Sequence, residues 1–320
     1  MTNKIKLSIV TPSYQQAEFL QQTIESVLSQ GIDGLEYIVI DGGSQDGSQE
    51  IIKKYEDKLA YWVSERDSGQ AEAINKGLKR VTGEIVGWIN SDDYYPPGTF
   101  KTVLEYFDQH PDTGFIYGDQ LCVDQNGQPI NVIHYQDWGA EGLAHFQVIS
   151  QPSVFFRKVL LDKVGLMGQD LHYMLDHYYW LKMAAVSPIQ YIPKTFAAAR
   201  YHSNAKNMSG GSKYKEDTLK VVDWMKTDPY YQKIWLKDPK GILASAYRLG
   251  AFYQAESGEW ANAFKSYLKS FSLSPVYLIR DWRRFGFTLL NLLGLNGLTQ
   301  WAKKQQTRKR QGNLQMEKIK

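Results

Sequence analysis

The run Glu84-Ile85-Val86-Gly87-Trp88-Ile89-Asn90-Ser91-Asp92-Asp93-Tyr94-Tyr95-Pro96 sets an apolar segment of strand length directly against two adjacent carboxylates. Its β-branched and aromatic residues, and the turn residues that follow, read as a buried strand. In an open α/β sheet, ligands bind beyond the carboxyl ends of the strands. Asp92 and Asp93 at such an end suit a hard divalent cation that also holds phosphate oxygens. The plainer alternative is a solvated turn that caps the next helix. The other strand ends decide between the two.

Working outward, strand-like and helix-like segments alternate. Leu7 to Thr11 reads as a strand ending at Pro12-Ser13-Tyr14, and Leu20, Ile24, Val27 and Leu28 mark one face of the helix after it. Leu35 to Ile40 is a second strand, stopped by Asp41-Gly42-Gly43-Ser44-Gln45-Asp46-Gly47-Ser48. Leu59 to Val63 is a third, giving way to Ser64-Glu65-Arg66-Asp67-Ser68-Gly69, with a helix from about Ala71 to Leu78. After Asp93 come a helix bearing Phe100, Val103 and Phe107 and a strand from Phe115 to Tyr117. Such alternation predicts parallel pairing with right-handed crossovers, which places every polar cluster on one sheet edge. Beyond Gly118-Asp119 the pattern changes. Asp124-Gln125-Asn126-Gly127-Gln128 reads as a hairpin turn, Val154 to Phe156 as a core strand, and Leu171 to Ala185 as a helix carrying Asp176. From about Ser212 the chain reads as helical.

Composition supports this frame. With 320 residues and 43% hydrophobic content, the chain can build one large domain and a smaller helical region. A single cysteine, Cys122, excludes an intrachain disulfide framework, so a cytoplasmic location is expected. The amino terminus runs almost at once into a strand, so no signal peptide is expected, and no apolar run is long enough to span a membrane. The net charge of +3 is uneven: from Arg280 onward ten Lys or Arg face two acids, a local +8, leaving about −5 for the rest. A basic end of this kind is ordinarily a solvated helix face, but it also suits an anionic membrane surface.

The strand ends exclude two familiar phosphate binders. No Gly-x-Gly-x-x-Gly follows the first strand, and no Gly-x-x-x-x-Gly-Lys-Ser/Thr occurs anywhere. What remains is Asp41, Asp67 and the Asp92-Asp93 pair. Carboxylates repel phosphate, yet they accept from a base N–H or a ribose hydroxyl, and they hold a metal that bridges to a diphosphate. The pattern points to a nucleoside diphosphate bound through a divalent ion.

Five ordered segments carry a resemblance. Thr11-Pro12-Ser13-Tyr14, Val39 to Ser48, Ser64 to Gln70, Ala73-Ile74-Asn75-Lys76-Gly77 and Asn90-Ser91-Asp92-Asp93 are similar to the motifs of glycosyltransferase family 2, inverting enzymes of the GT-A fold. The nearest look is to bacterial members that build exopolysaccharide, capsule or O-antigen chains. The resemblance covers about residues 5–206 and implies a GT-A catalytic domain over 1–211, with a nucleotide-sugar half to about 120 and an acceptor half after it. Residues 212–320 form the helical region with its basic tail. By the same resemblance, Thr11, Ser13, Asp41, Arg66, Asp67, Asn90 and Asp93 belong to the nucleotide-sugar pocket. Asp92 takes the second acid of an Asp-x-Asp motif that binds Mn²⁺ or Mg²⁺, and Asn90 stands where many members have the first. Asp176, before an aromatic-rich helix, takes the place of the catalytic base, although Tyr178 and Lys182 replace an acid and an Arg of the family pattern. Arg200-Tyr201-His202 resembles a late Arg-x-His segment and implies His202 as a further metal or diphosphate contact. Gln151-Pro152 looks like a segment near the acceptor.

The carboxy-terminal stretch Gly250 to Pro275 resembles one tetratricopeptide-type hairpin, and a lone copy reads best as a helical pair packed on the catalytic domain. Phe285 to Leu295 is apolar, flanked by Arg280, Arg283, Arg284 and tryptophans, and suits either a core helix or a membrane interface. The expected partners are a nucleotide-diphosphate sugar, a saccharide or lipid-linked acceptor and an anionic membrane surface through 280–320 at the inner face of the plasma membrane. No nucleic acid is expected. Two other readings compete. A sugar-nucleotide pyrophosphorylase calls for a Gly- and Arg-rich loop after the first strand, which is missing. A non-catalytic adaptor on the same fold, recruited by its helical basic tail, is favoured by Asn90 and opposed by Asp176.

Overall fold

The computed structural model describes residues 6–202, 210–295 and 297. In chain order the elements are β1 (Leu7–Ser13), α1 (Ala17–Leu28), β2 (Leu35–Asp41), α2 (Ser48–Lys53), β3 (Tyr61–Ser64), α3 (Gln70–Leu78), β4 (Ile85–Trp88), α4 (Thr99–Gln109) and β5 (Phe115–Val123). They continue with β6 (Pro129–Ile133), α5 (Gly139–Ala144), β7 (Val154–Arg157), α6 (Val159–Val164), α7 (Leu175–Ala184) and β8 (Ile189–Arg200). Five helices complete the described chain: α8 (Gly211–Met225), α9 (Tyr231–Lys237), α10 (Pro239–Glu256), α11 (Trp260–Leu273) and α12 (Val276–Leu292).

The sheet runs β3-β2-β1-β4-β7-β5-β6, with β8 paired to β5. β1 to β4 are mutually parallel. Alternation alone predicts parallel neighbours throughout, but β7 inserts antiparallel between β4 and β5. Two successive reversals leave β5 pointing the same way as β4, and β8 follows β5 in parallel. The carboxyl ends of β1, β2, β3, β4 and β8 therefore share one edge, which brings the segment after Arg200 to the end of β4.

Side-chain alternation feeds two cores, one on each face. Ile9, Val39 and Phe155 pack with Leu20, Ile24 and Phe100 under α1 and α4. Val10, Ile38, Ile40 and Phe156 pack on the other face with Ile74 of α3 and Trp180 of α7. That second core continues without a break into Val221, Met225, Tyr231, Ile242 and Leu249 of the carboxy-terminal helices.

Three local readings change. The strand read from Phe115 to Tyr117 does not stop there: β5 runs on through Gly118-Asp119 to Val123. A Cβ on Gly118 would lie 2.5 Å from the Lys194 carbonyl, so glycine is what lets β8 approach. β8 itself gives no strand signal because Pro193 and Lys194 interrupt it. Gly118 pairs with Ile192 and Asp119 with Thr195, so the proline sits in a bulge where no ladder N–H is needed. Finally, the helix expected from Leu171 begins only at Leu175, and residues 171–174 are irregular.

Candidate active site

The nucleotide end is built by the loops after β1, β2 and β3. Ser13 ends β1 nearly buried, at 3% exposure, and its hydroxyl has no partner among the described residues. A buried hydroxyl without a partner costs free energy in the free protein, so it marks a place where a ligand atom would be welcome. Asp41 ends β2 completely buried. Its Oδ2 accepts from the Gly43 and Ser44 amides (3.1 and 2.9 Å) and the Ser64 hydroxyl (2.6 Å), and its Oδ1 from the Ser44 hydroxyl (2.6 Å). Asp41 thus holds the loop after β2 with both of its carboxylate oxygens. Thr11, beside it on β1, is fully buried, and its hydroxyl meets the Tyr37 hydroxyl at 3.0 Å.

Gly42 is buried between Tyr14 and Asp67. A Cβ there would come within 2.7 Å of Asp67 Oδ2 and 3.2 Å of the Tyr14 ring, so the glycine keeps a slot that a side chain would fill. Tyr14 is 62% exposed over that slot, an aromatic face at the sheet edge that the sequence reading quoted without giving it a role. Asp67 accepts from the Gly69 amide at 3.0 Å, and burial raises its pKa against the pull of that N–H and of Lys76. Arg66 is exposed at the rim, its backbone against Gly43. Asn75 fixes the next helix by exchanging two hydrogen bonds with Met167 (2.8 and 3.0 Å), which ties α3 to the loop before α7.

After β4, the two neighbouring carboxylates have different fates. Asp92 turns toward the cleft, and its Oδ2 lies 3.1 Å from His202 Nε2, a residue 110 positions away. Asp93 turns inward, where its Oδ1 accepts from the Arg200 amide at 2.9 Å. Burial drives the Asp93 pKa well up and Asp92 adds to this, opposed by that amide and the Arg200 charge. Through this hydrogen bond Asp93 braces the loop against β8. Arg200, almost buried, holds the whole turn: its Nε donates to the Asp92 carbonyl (3.0 Å) and its guanidinium to the Gln125 carbonyl (2.8 Å) and Gln22. A linear motif does not reveal this role of Arg200, because its five partners come from two loops and helix α1. Asn90 Oδ1 accepts from Gln70 Nε2 at 2.9 Å, so the amide links the β4 loop to α3.

The Asp92–His202 pair fits a divalent cation. Adjacent ligand atoms around a six-coordinate ion, each about 2.1 Å from it, lie roughly 3 Å apart. No group of three His, Cys, Asp or Glu side chains gathers for a metal among the described residues. Asp92 and His202 would supply the protein ligands, and phosphate oxygens and water would complete the shell.

Asp176 stands at the first turn of α7, half-buried, with Oδ1 accepting from the His177 amide at 2.7 Å. Trp180 one turn later stacks on Trp88 at 4.8 Å, and Gln151 Nε2 donates to the Trp88 carbonyl at 2.7 Å, so α7 is seated on the end of β4. Between the start of α3 and the segment leading into α7, a cavity of about 140 Å³ is lined by Ser68, Gly69, Gln70, Leu171, His172 and Leu175. It joins the loop after β3 to the approach to Asp176. Further neighbours of Asp176 come from outside the motif region. Tyr214 of α8 and Tyr253 of α10 stack at 3.6 Å, and the Asp176 charge adds to the burial that raises both phenols. Asp217 of α8 accepts from the His172 and Tyr173 amides, each at 2.8 Å, and so holds the strand of chain that leads into Asp176.

The protein-family model for glycosyl transferase family 2 matches residues 8–163. An uncharacterized glycosyltransferase of Mycobacterium tuberculosis is 30% identical over 192 residues, 58% of this chain and 71% of that protein. The putative teichuronic acid biosynthesis glycosyltransferase TuaG of Bacillus subtilis is 29% identical over 168 residues, covering 51% and 65%. A glycosyltransferase of Rickettsia conorii is 28% identical over 213 residues, but the match spans only 34% of its length. Among solved structures, S. aureus TarS 1–349 in complex with UDP-GlcNAc superposes with a TM-score of 0.60 at 17% identity, over 87% of this chain and 92% of that one. The mannosyltransferase PcManGT of Pyrobaculum calidifontis, in complex with GDP-Man and Mn²⁺, gives 0.60 at 16% identity, over 90% and 86%. At these identities the structural likeness speaks for the fold, which is GT-A with carboxy-terminal helices.

Proposed function

Since the chain belongs to glycosyltransferase family 2, we propose that it is an inverting transferase that moves a sugar from a nucleotide-diphosphate sugar to a saccharide or lipid-linked saccharide in surface polysaccharide biosynthesis. The observation that carries this reading is the meeting of Asp92 and His202 at the strand edge, beside the slot of Ser13, Tyr14, Gly42 and Asp67. TuaG by name, and TarS and PcManGT by their bound nucleotide sugars, support a donor of this class. For a lipid-linked acceptor, the place of work is the inner face of the plasma membrane. Among the described residues no helix is long and apolar enough to cross a membrane.

In this reading Tyr14 and Asp67 hold base and ribose, and Ser13 donates into the same pocket. Arg66 sits at the rim. A divalent cation, Mn²⁺ or Mg²⁺, held by Asp92 and His202 would neutralise charge on the leaving diphosphate. Asp176 takes the proton of the acceptor hydroxyl as that oxygen forms its bond to the anomeric carbon. The bond from that carbon to the diphosphate oxygen breaks, and its electron pair leaves with the nucleoside diphosphate, so the anomeric centre inverts. Asp176→Asn tests the assignment. Transfer should fall by about 10² to 10⁴-fold, the usual worth of a general base, with donor affinity nearly unchanged. Activity within a few-fold of the parent would put the base elsewhere, and an equal loss of donor affinity would move Asp176 into the binding site. Were the chain an inert adaptor, no nucleotide sugar would be turned over by the parent either.

A further inference from the structure

Helix α12 has two unlike faces. Inward, Phe285 stacks on Phe264 at 5.3 Å and meets Phe271 edge-on at 5.2 Å, while Phe287 packs on Trp260. Outward, Val276, Ile279 and Trp282 are 57%, 75% and 60% exposed, and Leu293 just past the helix is 63% exposed. Arg280 and Arg283 are exposed among them, and the Arg283 guanidinium lies 5.4 Å from the Trp282 ring. The sole acid of the helix, Asp281, is turned away. It is 8% exposed at a kink (φ −114°, ψ 15°), with its carboxylate 3.3 Å from Arg248 and 3.4 Å from Arg284. The outer face thus offers large apolar side chains and cations with no carboxylate among them.

We propose that this face docks α12 flat on an anionic lipid bilayer, with Ile279 and Trp282 in the boundary between headgroups and acyl chains and Arg280 and Arg283 at lipid phosphates. A helix with a wide apolar stripe between cations binds such an interface through apolar burial and charge attraction together. A second copy of the chain is a poorer occupant, because a two-fold pairing would bring the same arginines face to face. The sequence places membrane contact in residues 280–320. The structure moves its apolar part to a stripe that begins at Val276, and residues 298–320 lie outside the described chain. The proposal deepens the reading of a lipid-linked acceptor, yet its test needs neither donor nor acceptor, so either can fail alone.

The test is sedimentation of the full chain with phosphatidylcholine vesicles and with vesicles containing roughly one-third phosphatidylglycerol. Binding is expected to the anionic vesicles and to fall with salt. Arg280→Gln with Arg283→Gln should weaken it about 25-fold, roughly fivefold for each cation removed. Ile279→Asp with Trp282→Ser should weaken it at least tenfold. Unchanged melting temperatures would show that both variants fold, as their exposed positions lead one to expect. Equal binding to neutral and anionic vesicles overturns the proposal. So does vesicle binding that survives both helix variants but disappears on deletion of 298–320. A concentration-dependent dimer that the Ile279/Trp282 variant abolishes, without vesicle binding, assigns the face to self-association instead.

Discussion

Residue types at the edge of β4 were readable, but their directions were not. Asp92 and Asp93 are chemically identical neighbours, yet one faces His202 and the other the Arg200 amide. Ser91 and Asp92 lie in a turn that the Asp93 amide closes on the Asn90 carbonyl at 3.1 Å, and nothing in the local sequence says which acid that turn sends inward. Asp92→Asn should therefore remove most of the cation-dependent rise in melting temperature that a nucleoside diphosphate produces, because the remaining pair would be an amide and an imidazole. A rise of equal size in EDTA for the parent would remove the cation from this site. His177 gives a pH signature. Its ring is fully buried against Phe146, its Nε2–H donates to the Leu143 carbonyl at 3.0 Å, and burial holds its pKa down at about 4. The unfolded chain takes up this proton near pH 6.5. Below that pH the unfolded state binds more protons, so stability from this residue is complete above about 6.5 and falls by about 1.4 kcal/mol per unit toward 4. Urea titrations across this window should show a shallower pH dependence for His177→Gln than for the parent; identical slopes would mean the imidazole titrates normally in the fold.

Elements were legible wherever their period was clean. β1, β2, β4 and α1 carry clear apolar patterns, and the polar strand ends read after β1 to β4 do share one edge of the sheet. β8 was invisible because its bulge hides a proline, and without β8 nothing explains why His202 arrives beside Asp92. The role of α8 was equally hidden, since Asp217 reads as an ordinary helix-surface acid until the His172 and Tyr173 amides are seen to converge on it. It predicts a specific failure. Asp217→Ala leaves two amides unpaired near a buried carboxylate site, at a cost of about 1–3 kcal/mol each at most. Turnover should drop well below the melting temperature while donor affinity holds, because the segment before Asp176 loses its anchor and the nucleotide loops do not. Asp217→Asn keeps an acceptor oxygen and should recover much of the rate. If both variants melt lower but turn over normally, α8 merely stabilises the protein.

For the molecule as a whole, the carboxy-terminal helices are the part that composition least explained. A hairpin packed on the catalytic domain was expected, and α10 and α11 form one. What the linear pattern cannot convey is that these helices have no core of their own toward the sheet. Trp180, Leu181 and Met183 of α7 share one buried cluster with Val221, Val222 and Met225 of α8, and the Tyr231 hydroxyl donates to the Leu181 carbonyl at 2.8 Å. Elements that bury the same surface gain it or lose it together. Thermal unfolding should accordingly be one transition, with calorimetric and van't Hoff enthalpies equal, although the chain is long enough for two domains. A fragment ending at residue 210 should expose α7's apolar face and aggregate or melt far below the parent. A fragment that instead melts close to the parent temperature and binds nucleoside diphosphate normally would make the helices an independent unit. Asp217 and the Tyr214–Tyr253 stack would then have to reach Asp176 from a separately folded body, which a shared core makes unnecessary.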